Sequence, residues 1–410
     1  MNNLDLFTKA LGLTNPWYVS NTELKEVDNS LELHITISFH KGGKFPSPLD
    51  KNDTNLYGAY DTKERTWRHL DFFQHKTYIH CNVPRVKCSD NTINLVDVPW
   101  ARKGSGFTLL FEAYVMELVK KMTVSQASKL VREYDTRLWR IIHYYVEKAM
   151  KQEEYSDVKL LGVDETSKKG HNYITVFVDI SRKKVIFCTN GKDSSTVDKF
   201  VNHFVEHHGL KENIEIVTCD MSLGFKKGIT DNFENADTVI DKFHVIKHAN
   251  EAVDAVRKEE TRENNILKKT KYLWLKNKDN LSKSQKEKFE SISTLNLKTS
   301  RAYNMKVTLQ DIYENCKTTE AAKVAMNRLY FWLTHSKLEP MIKLAKLLKS
   351  HMNDILNYFK HPYTNAILEG VNSVIQNTKC SARGYRNDDY FIDMIYLRCG
   401  KLELDLPTFA

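Results

Sequence analysis

Apolar positions change their period several times along the chain, and each change marks a boundary. Residues 1–60 combine an alternating run, Leu31 to Phe39 in LELHITISF, with the polar stretch KGGKFPSPLDKNDTN, whose glycines and prolines predict a loop. This part reads as a small appendage. From Thr66, TWRHLDFFQHKTYIHCNVPRVKC predicts short strands, which Val96, Val98, Pro99 and Trp100 close into a compact β-rich module. The period turns helical at Phe107, where FTLLFEAYVMELVKKM sets Leu110, Tyr114, Leu118 and Met122 on one face. In TVSQASKLVREYDTRLWRIIHYYVEKAM, Thr123 caps a short helix through Val131. Asp135 or Thr136 caps the next, whose apolar face carries Leu138, Trp139, Ile142 and Val146. Two helices joined this way resemble a helix-turn-helix without the usual turn glycine; an ordinary helical linker is the plainer alternative.

From Val158 the apolar runs shorten. VKLLGV, NYITVFVDI and KVIFCT predict an antiparallel meander, and SSTVDKFVNHFVEHHG predicts a helix capped by Ser194 or Ser195, with Val197, Phe200, Val201, Phe204 and Val205 along one stripe. IEIVTC and ADTVI read as buried strands joined through a helix around Leu223–Phe233 by a right-handed crossover. This order predicts an α/β sheet. From about Phe243 to Tyr358 the chain is almost wholly helical and basic, and KNKDNLSKSQKEKFE is too polar for a core, so the stretch reads as an insertion. Mixed character returns from His361 to Gly400.

Composition narrows the partner. Sixty-one Lys and Arg against 52 Asp and Glu leave a formal charge of +9, which favours a polyanion. No run of 18 apolar residues occurs and MNNLDLFTKALG lacks the features of a signal peptide, so a soluble cytoplasmic protein with no membrane partner is expected. Seven cysteines, scattered and without a CxxC pair, predict reduced thiols.

Candidate chemistry lies at the strand ends. Asp164 follows VKLLGV and Asp220 follows IEIVTC, and side chains at strand C-ends of an α/β sheet converge on one crevice. Two desolvated carboxylates repel unless a cation intervenes, and magnesium, with its preference for oxygen ligands, resolves that conflict. Each Asp alone is more often a turn or cap residue, and only the pair brings the chemical reading level with that one. Asp241 after ADTVI and His244 in DKFHV are accessory candidates or a capped helix start, while Glu165 should face away from Asp164. In the last segment, Thr364 or Asn365 caps a helix that presents Glu369 and Asn372 on one face, and Lys379, Arg383, Tyr385 and Arg386 follow as candidate phosphate contacts.

LLGVDETSKKGHNYITVFVDI, TCDMSLGFKKGI, ADTVIDKFHVIKHANEAVDAVR and TNAILEGVNSVIQNTKCSARGYRNDDYF resemble, in order, the core blocks of the ISL-three group of bacterial insertion-sequence transposases. DTKERTWRHLDFFQHKTYIHCNVPRVKC and VPWARKGSGFTLLFEA resemble that family's N-terminal module. The resemblance implies an α/β fold: an RNase H-like mixed sheet interrupted by an all-α insertion, preceded by a helix-turn-helix-like segment and a small β-rich module. Its boundaries would be 1–105 for the β-rich module, 106–152 for the DNA-binding helices, 153–245 and 359–410 for the two parts of the core, and 246–358 for the insertion. By block position the Asp-Asp-Glu triad falls on Asp164, Asp220 and Glu369. Holding Mg2+ or Mn2+, such a triad first frees a 3′-hydroxyl by hydrolysis and then joins it to target DNA by transesterification.

The resemblance also implies double-stranded DNA as partner, both element ends and target, and a homodimer in the DNA complex. Arg132, Arg137 and Arg140 are the expected contacts of the helical segment, and Arg68, Lys76, Arg85 and Lys87 those of the β-module. A silent DNA-binding descendant or an RNase H-like nuclease are the alternatives. One departure bears on metal content. Where the family's module resembles a paired-cysteine zinc domain, this chain keeps Cys88 alone, with Ser47, Asp50, Tyr60 and Asn91 near the other positions. His75, His80 and Cys81 match no standard spacing, so zinc is not expected.

Overall fold

The computed structural model describes residues 3–50, 52–89, 91–170, 172–276, 278–295, 297–361 and 366–407. Two units divide the chain, one running to Glu147 and taking in the residues after Leu402, the other spanning Lys148–Leu402.

In the first unit, helix α1 (Asn3–Ala10) precedes strands β1 (Trp17–Val27), β2 (Ser30–Phe39), β3 (Lys44–Pro46), β4 (Leu56–Phe72), β5 (His75–Lys87) and β6 (Ile93–Leu95). They form a single sheet in the order β1-β2-β5-β4-β3, with β6 added to β5. Only β2 and β5 run parallel, pairing Glu32–Ile37 with Lys76–Cys81. Residues 1–60 are therefore no appendage: LELHITISF is an inner strand, and its Leu33, Ile35 and Ile37 share a core with Ile79, Cys81 and Val83. The KGGKFPSPLDKNDTN stretch also supplies β3.

Helices α2 (Leu109–Val119), α3 (Val124–Val131) and α4 (Asp135–Met150) follow. Thr123 caps α3 in a reciprocal capping box with Gln126. The expected burial of Leu138, Trp139, Ile142 and Val146 on α4 is found. On α2 the face differs from expectation: Phe111, Val115, Met116 and Val119 are buried while Tyr114 is exposed. That helix is apolar on nearly every side, so periodicity could not choose its inner stripe.

The second unit carries strands β7 (Leu160–Lys169), β8 (Asn172–Asp179) and β9 (Lys184–Asn190), helix α5 (Ser194–Glu206), strand β10 (Ile216–Cys219), helix α6 (Leu223–Asn232) and strand β11 (Asp237–Ile240). The sheet order is β11-β10-β7-β8-β9, with β7, β8 and β9 antiparallel and β10 and β11 parallel to β7. This is the RNase H-like mixed sheet. Val197, Phe200, Val201 and Phe204 of α5 pack with Leu161, Val163 and Phe177 on one face, whereas Val205 points to solvent. Asp193 caps α5 by accepting from the Ser195 N–H at 2.9 Å, a role expected of Ser194 or Ser195.

Helices α7 (Lys242–Glu260), α8 (Lys271–Leu275), α9 (Lys283–Ser293), α10 (Lys298–Asn315), α11 (Thr319–Thr334), α12 (Glu339–Ser350) and α13 (Met352–Lys360) make the insertion. They close on a core through Val253, Leu309, Leu329 and Leu344 that also takes in Met221, just beyond β10, and Ile240 at the end of β11. Helices α14 (Ala366–Ser381) and α15 (Asp388–Cys399) then return to the sheet, where the Tyr396 hydroxyl accepts from the Cys188 N–H at 2.9 Å. No helix among the described residues is long and apolar enough to cross a membrane.

Candidate active site

Asp164 lies inside β7, not at its end. The strand continues to Lys169 against β8, but its pairing with β10 stops at Gly162, so Asp164 lies in the stretch that β10 does not pair. Val163 packs into the core beneath α5, and strand alternation turns Asp164 to the opposite face. There its Oδ1 accepts from the Glu165 N–H at 2.8 Å and its Oδ2 from the Asn372 Nδ2 at 2.6 Å. Burial raises the Asp164 pKa above the ordinary carboxylate value and the charge of Asp220 adds to the rise; the Glu165 N–H, His244 and Asn372 oppose it. A second carboxyl behaves alike. Burial raises the Glu165 pKa, followed by repulsion from Asp220 and Asp164, while Lys192 and Lys247 counter it.

Asp220 does emerge where β10 ends, and its Oδ1 accepts from the Ser222 N–H at 2.9 Å in the turn that opens α6. The turn role therefore falls on the residue that is also the candidate for the chemistry. Asp241 is buried at the start of α7 with no side-chain capping bond there, and His244 sits in the first turn of that helix, within electrostatic reach of Asp164. Sequence reasoning did not single out Lys192 or Lys247. Lys247 lies three residues beyond His244 and so shares its helix face, a spacing that could have flagged it. Lys192 stands over the Tyr173 ring at 4.2 Å, a contact across the β8–β9 hairpin.

Glu369 is exposed in the first turn of α14. Asn372, three residues on, shares its face, which brings Glu369 within about one helical turn of the side chain that grips Asp164. Among the described residues no three His, Cys, Asp or Glu side chains are grouped as an ion-binding set. The expected caps Thr364 and Asn365 lie outside the described residues. Lys379 donates to the Ser167 carbonyl at 2.6 Å, while Arg383 and Arg386 are exposed just beyond α14.

In the first unit, several expected DNA contacts turn out to be held by carboxylates. Arg68 is buried and pairs with Asp71 and Glu133, so it is not a surface contact; Arg85 pairs with Asp61. Arg132 pairs with Asp71 and donates to the Gln74 carbonyl at 2.8 Å, and Arg137 pairs with Glu133 and lies over the Phe107 ring at 4.3 Å. Arg140 is exposed on α4. Arg132 itself takes the left-handed conformation, φ 55°, in the turn between α3 and α4 where a glycine was missed.

The β-module's turns meet at Ser47 and Cys88, whose Oγ and Sγ stand 3.8 Å apart. Ser47 Oγ accepts from the Leu49 and Asp50 N–H groups at 3.4 and 3.3 Å, and the Asn91 N–H closes the other turn on the Cys88 carbonyl at 3.0 Å. Asp50 accepts from the Asn52 N–H, Cys81 is buried in the core with its thiol pushed up to about 12, and His80 Nε2 lies 2.8 Å from His34 Nδ1. At these turns one thiol stands with a hydroxyl, a carboxylate and an amide, a set unlike the usual zinc ligands.

The family profile described as a transposase, of ISL3 type, matches residues 161–395, more than half of the chain. A helix-turn-helix domain of the ISL3 transposase family matches residues 96–146, and a zinc-finger of insertion-sequence transposases matches residues 59–90. That last match brings zinc back into question against the expectation from the cysteines. Among curated relatives, the transposase for insertion sequence element IS1001 of Bordetella parapertussis is 24% identical over 81% of this chain and 84% of its own. The transposase for IS1557 of Mycobacterium tuberculosis is 24% identical over 84% and 83%. A solved Drosophila P element transposase strand transfer complex matches with a TM-score of 0.41 and 13% identity, over 73% of this chain and 95% of that one.

Proposed function

The chain belongs to the ISL3 family of insertion-sequence transposases, and we propose that Asp164, Asp220 and Glu369 are the carboxylates with which it cuts element ends and joins them to target DNA. As a family member it is a DNA-binding, DNA-cleaving and strand-transferring enzyme that uses divalent metal. The observation that carries the residue assignment is the bond from Asn372 to Asp164, because it ties the helix bearing Glu369 to the strand bearing the first aspartate.

Burial above all, with the charge of Asp220 adding to it, raises the Asp164 carboxyl; a cation would relieve both, and an all-oxygen donor set suits Mg2+ or Mn2+. Bound there, such an ion supplies Lewis-acid charge to the attacking and leaving oxygens of a phosphodiester. The chain's own groups do the rest. The Glu165 N–H and Asn372 orient the Asp164 carboxylate, and Lys192 and Lys247 offset acidic charge where phosphates would approach. We read α4 as the recognition helix, with Thr136, Arg140 and His143 on its exposed face toward a major groove, and Arg132 and Arg137 as the pairs that hold its N-terminus. Arg383 and Arg386 are read as phosphate contacts. The β-module is read as a ribbon without zinc. Double-stranded element ends and target are the substrates in this reading, a homodimer is the acting form, and the bacterial cytoplasm is the setting.

Alanine at Asp164, Asp220 or Glu369 should lower end cleavage by about a hundred- to a thousandfold or more while end binding, followed by fluorescence anisotropy, persists. Cleavage at the wild-type rate in any one of the three would remove that residue from the triad.

A further inference from the structure

Helix α14 and strand β7 run in the same direction and meet along a seam that is mostly polar. Leu368 covers Gly162, Asn372 donates to Asp164, Gln376 donates to Thr166 at 2.5 Å, and Lys379 donates to the Ser167 carbonyl at 2.6 Å. Four helical residues advance about 6 Å and two strand residues about 6.6 Å, so contacts at these intervals stay in step for three turns. A Cβ on Gly162 would stand 2.9 Å from Leu368 Cδ1 and Cδ2, so the approach that starts the seam depends on glycine. Of the seam's polar bonds, only that of Asn372 ends on a candidate metal ligand.

Both Asp164 oxygens already accept one hydrogen bond, each on one of two lone pairs, which leaves a lone pair on each for an ion. The Glu165 N–H is a neighbour in sequence and fixes only Oδ1. Asn372 fixes the other oxygen from across the site, so the carboxylate plane is set from both ends.

Resting on the triad reading above, we propose that Asn372 is a positioning residue: its amide holds Asp164 in the rotamer that receives the divalent ion and couples that rotamer to the helix carrying Glu369. Hydrogen-bond partners of metal ligands characteristically change ion affinity about ten- to a hundredfold when removed.

The test uses full-length protein without DNA, with Mn2+ affinity measured by titration calorimetry or electron paramagnetic resonance and unfolding followed in EDTA. Asn372→Ala should weaken Mn2+ binding about tenfold or more, leave the EDTA melt close to wild type, and recover cleavage as Mn2+ is raised. Gln376→Ala, which breaks a like bond that touches no carboxylate, should change Mn2+ affinity less than about twofold. If the alanine variant does not fold, Asn372→Leu keeps similar volume without the donor and should show the same weakening. Unchanged Mn2+ affinity in a folded Asn372 variant, or an equal loss in Gln376→Ala, overturns the inference while leaving the triad standing. If Asp164→Ala itself fails to weaken Mn2+ binding, the triad reading falls first and this inference with it.

Discussion

Lys306 shows how far a single side chain can depart from what its letter suggests. It sits in the helical, basic insertion, yet it is only 1% exposed, with Nζ donating to the Trp274 and Leu275 carbonyls at 2.9 and 3.4 Å. Burial pulls its pKa from 10.5 down to about 8. Between those two values the unfolded chain still binds the proton that the folded one has lost, so stability from this group rises with pH across the window. Relative to Lys306→Met, the wild type should gain up to about 3 kcal/mol between pH 8 and 10.5, read from urea unfolding at each pH. A flat difference would mean the ammonium is not desolvated. The candidate aspartates stand out in the sequence for the opposite reason: Asp164 and Asp220 follow apolar runs, a local signal, whereas the partners of Lys306 are carbonyls some thirty positions away. Buried Glu112 was missed likewise, since Arg102, Ser105 and Tyr145 meet it only once the chain folds.

At the scale of elements, the apolar period was readable where one face is clearly apolar, as in α4 and most of α5, and failed where the whole helix is apolar, as in α2; the cap of α5 fell one residue earlier than expected, on Asp193. Turn chemistry was harder still. Arg132 occupies the left-handed turn position where glycine is the usual signal, and its bonds to Asp71 and the Gln74 carbonyl hold it in place of conformational ease. The Ser47 and Cys88 turns follow the same logic. Their backbone N–H groups are satisfied by a hydroxyl and by carbonyls, and just before them Phe45 packs on Trp17 and Phe39 with ring centroids 5.3 Å apart in both pairs. In the reading without zinc, that apolar core is what closes the ribbon. Purified protein should therefore carry well under one zinc per chain by elemental analysis, and its unfolding midpoint should not move in EDTA. Stoichiometric zinc that disappears in Cys88→Ser would show that the turns are metal-bound after all.

Whole-molecule organisation was the least local and so the least legible part. The β7-β8-β9 meander could be read because its consecutive strands are neighbours, but β10 returns to pair with β7 and not β9, and the first sheet depends on a parallel pairing of β2 with β5 that no turn between them signals. Glu369 shows the same limit at the site, since the helical insertion from Lys242 to Lys360 stands between it and Asp220 in the chain. Splitting the triad in this way gives each chain a single set of candidate carboxylates, and an element has two ends to be cut. Paired ends should then hold two chains, which mass photometry on a complex with fluorescent end duplexes would count directly. Mixing wild type with Asp220→Ala in equal parts should leave roughly half of the paired complexes cut at one end only, provided each chain serves one end. A paired complex containing one chain, or mixed complexes that cut both ends as readily as wild type, would mean that one triad visits both ends in turn.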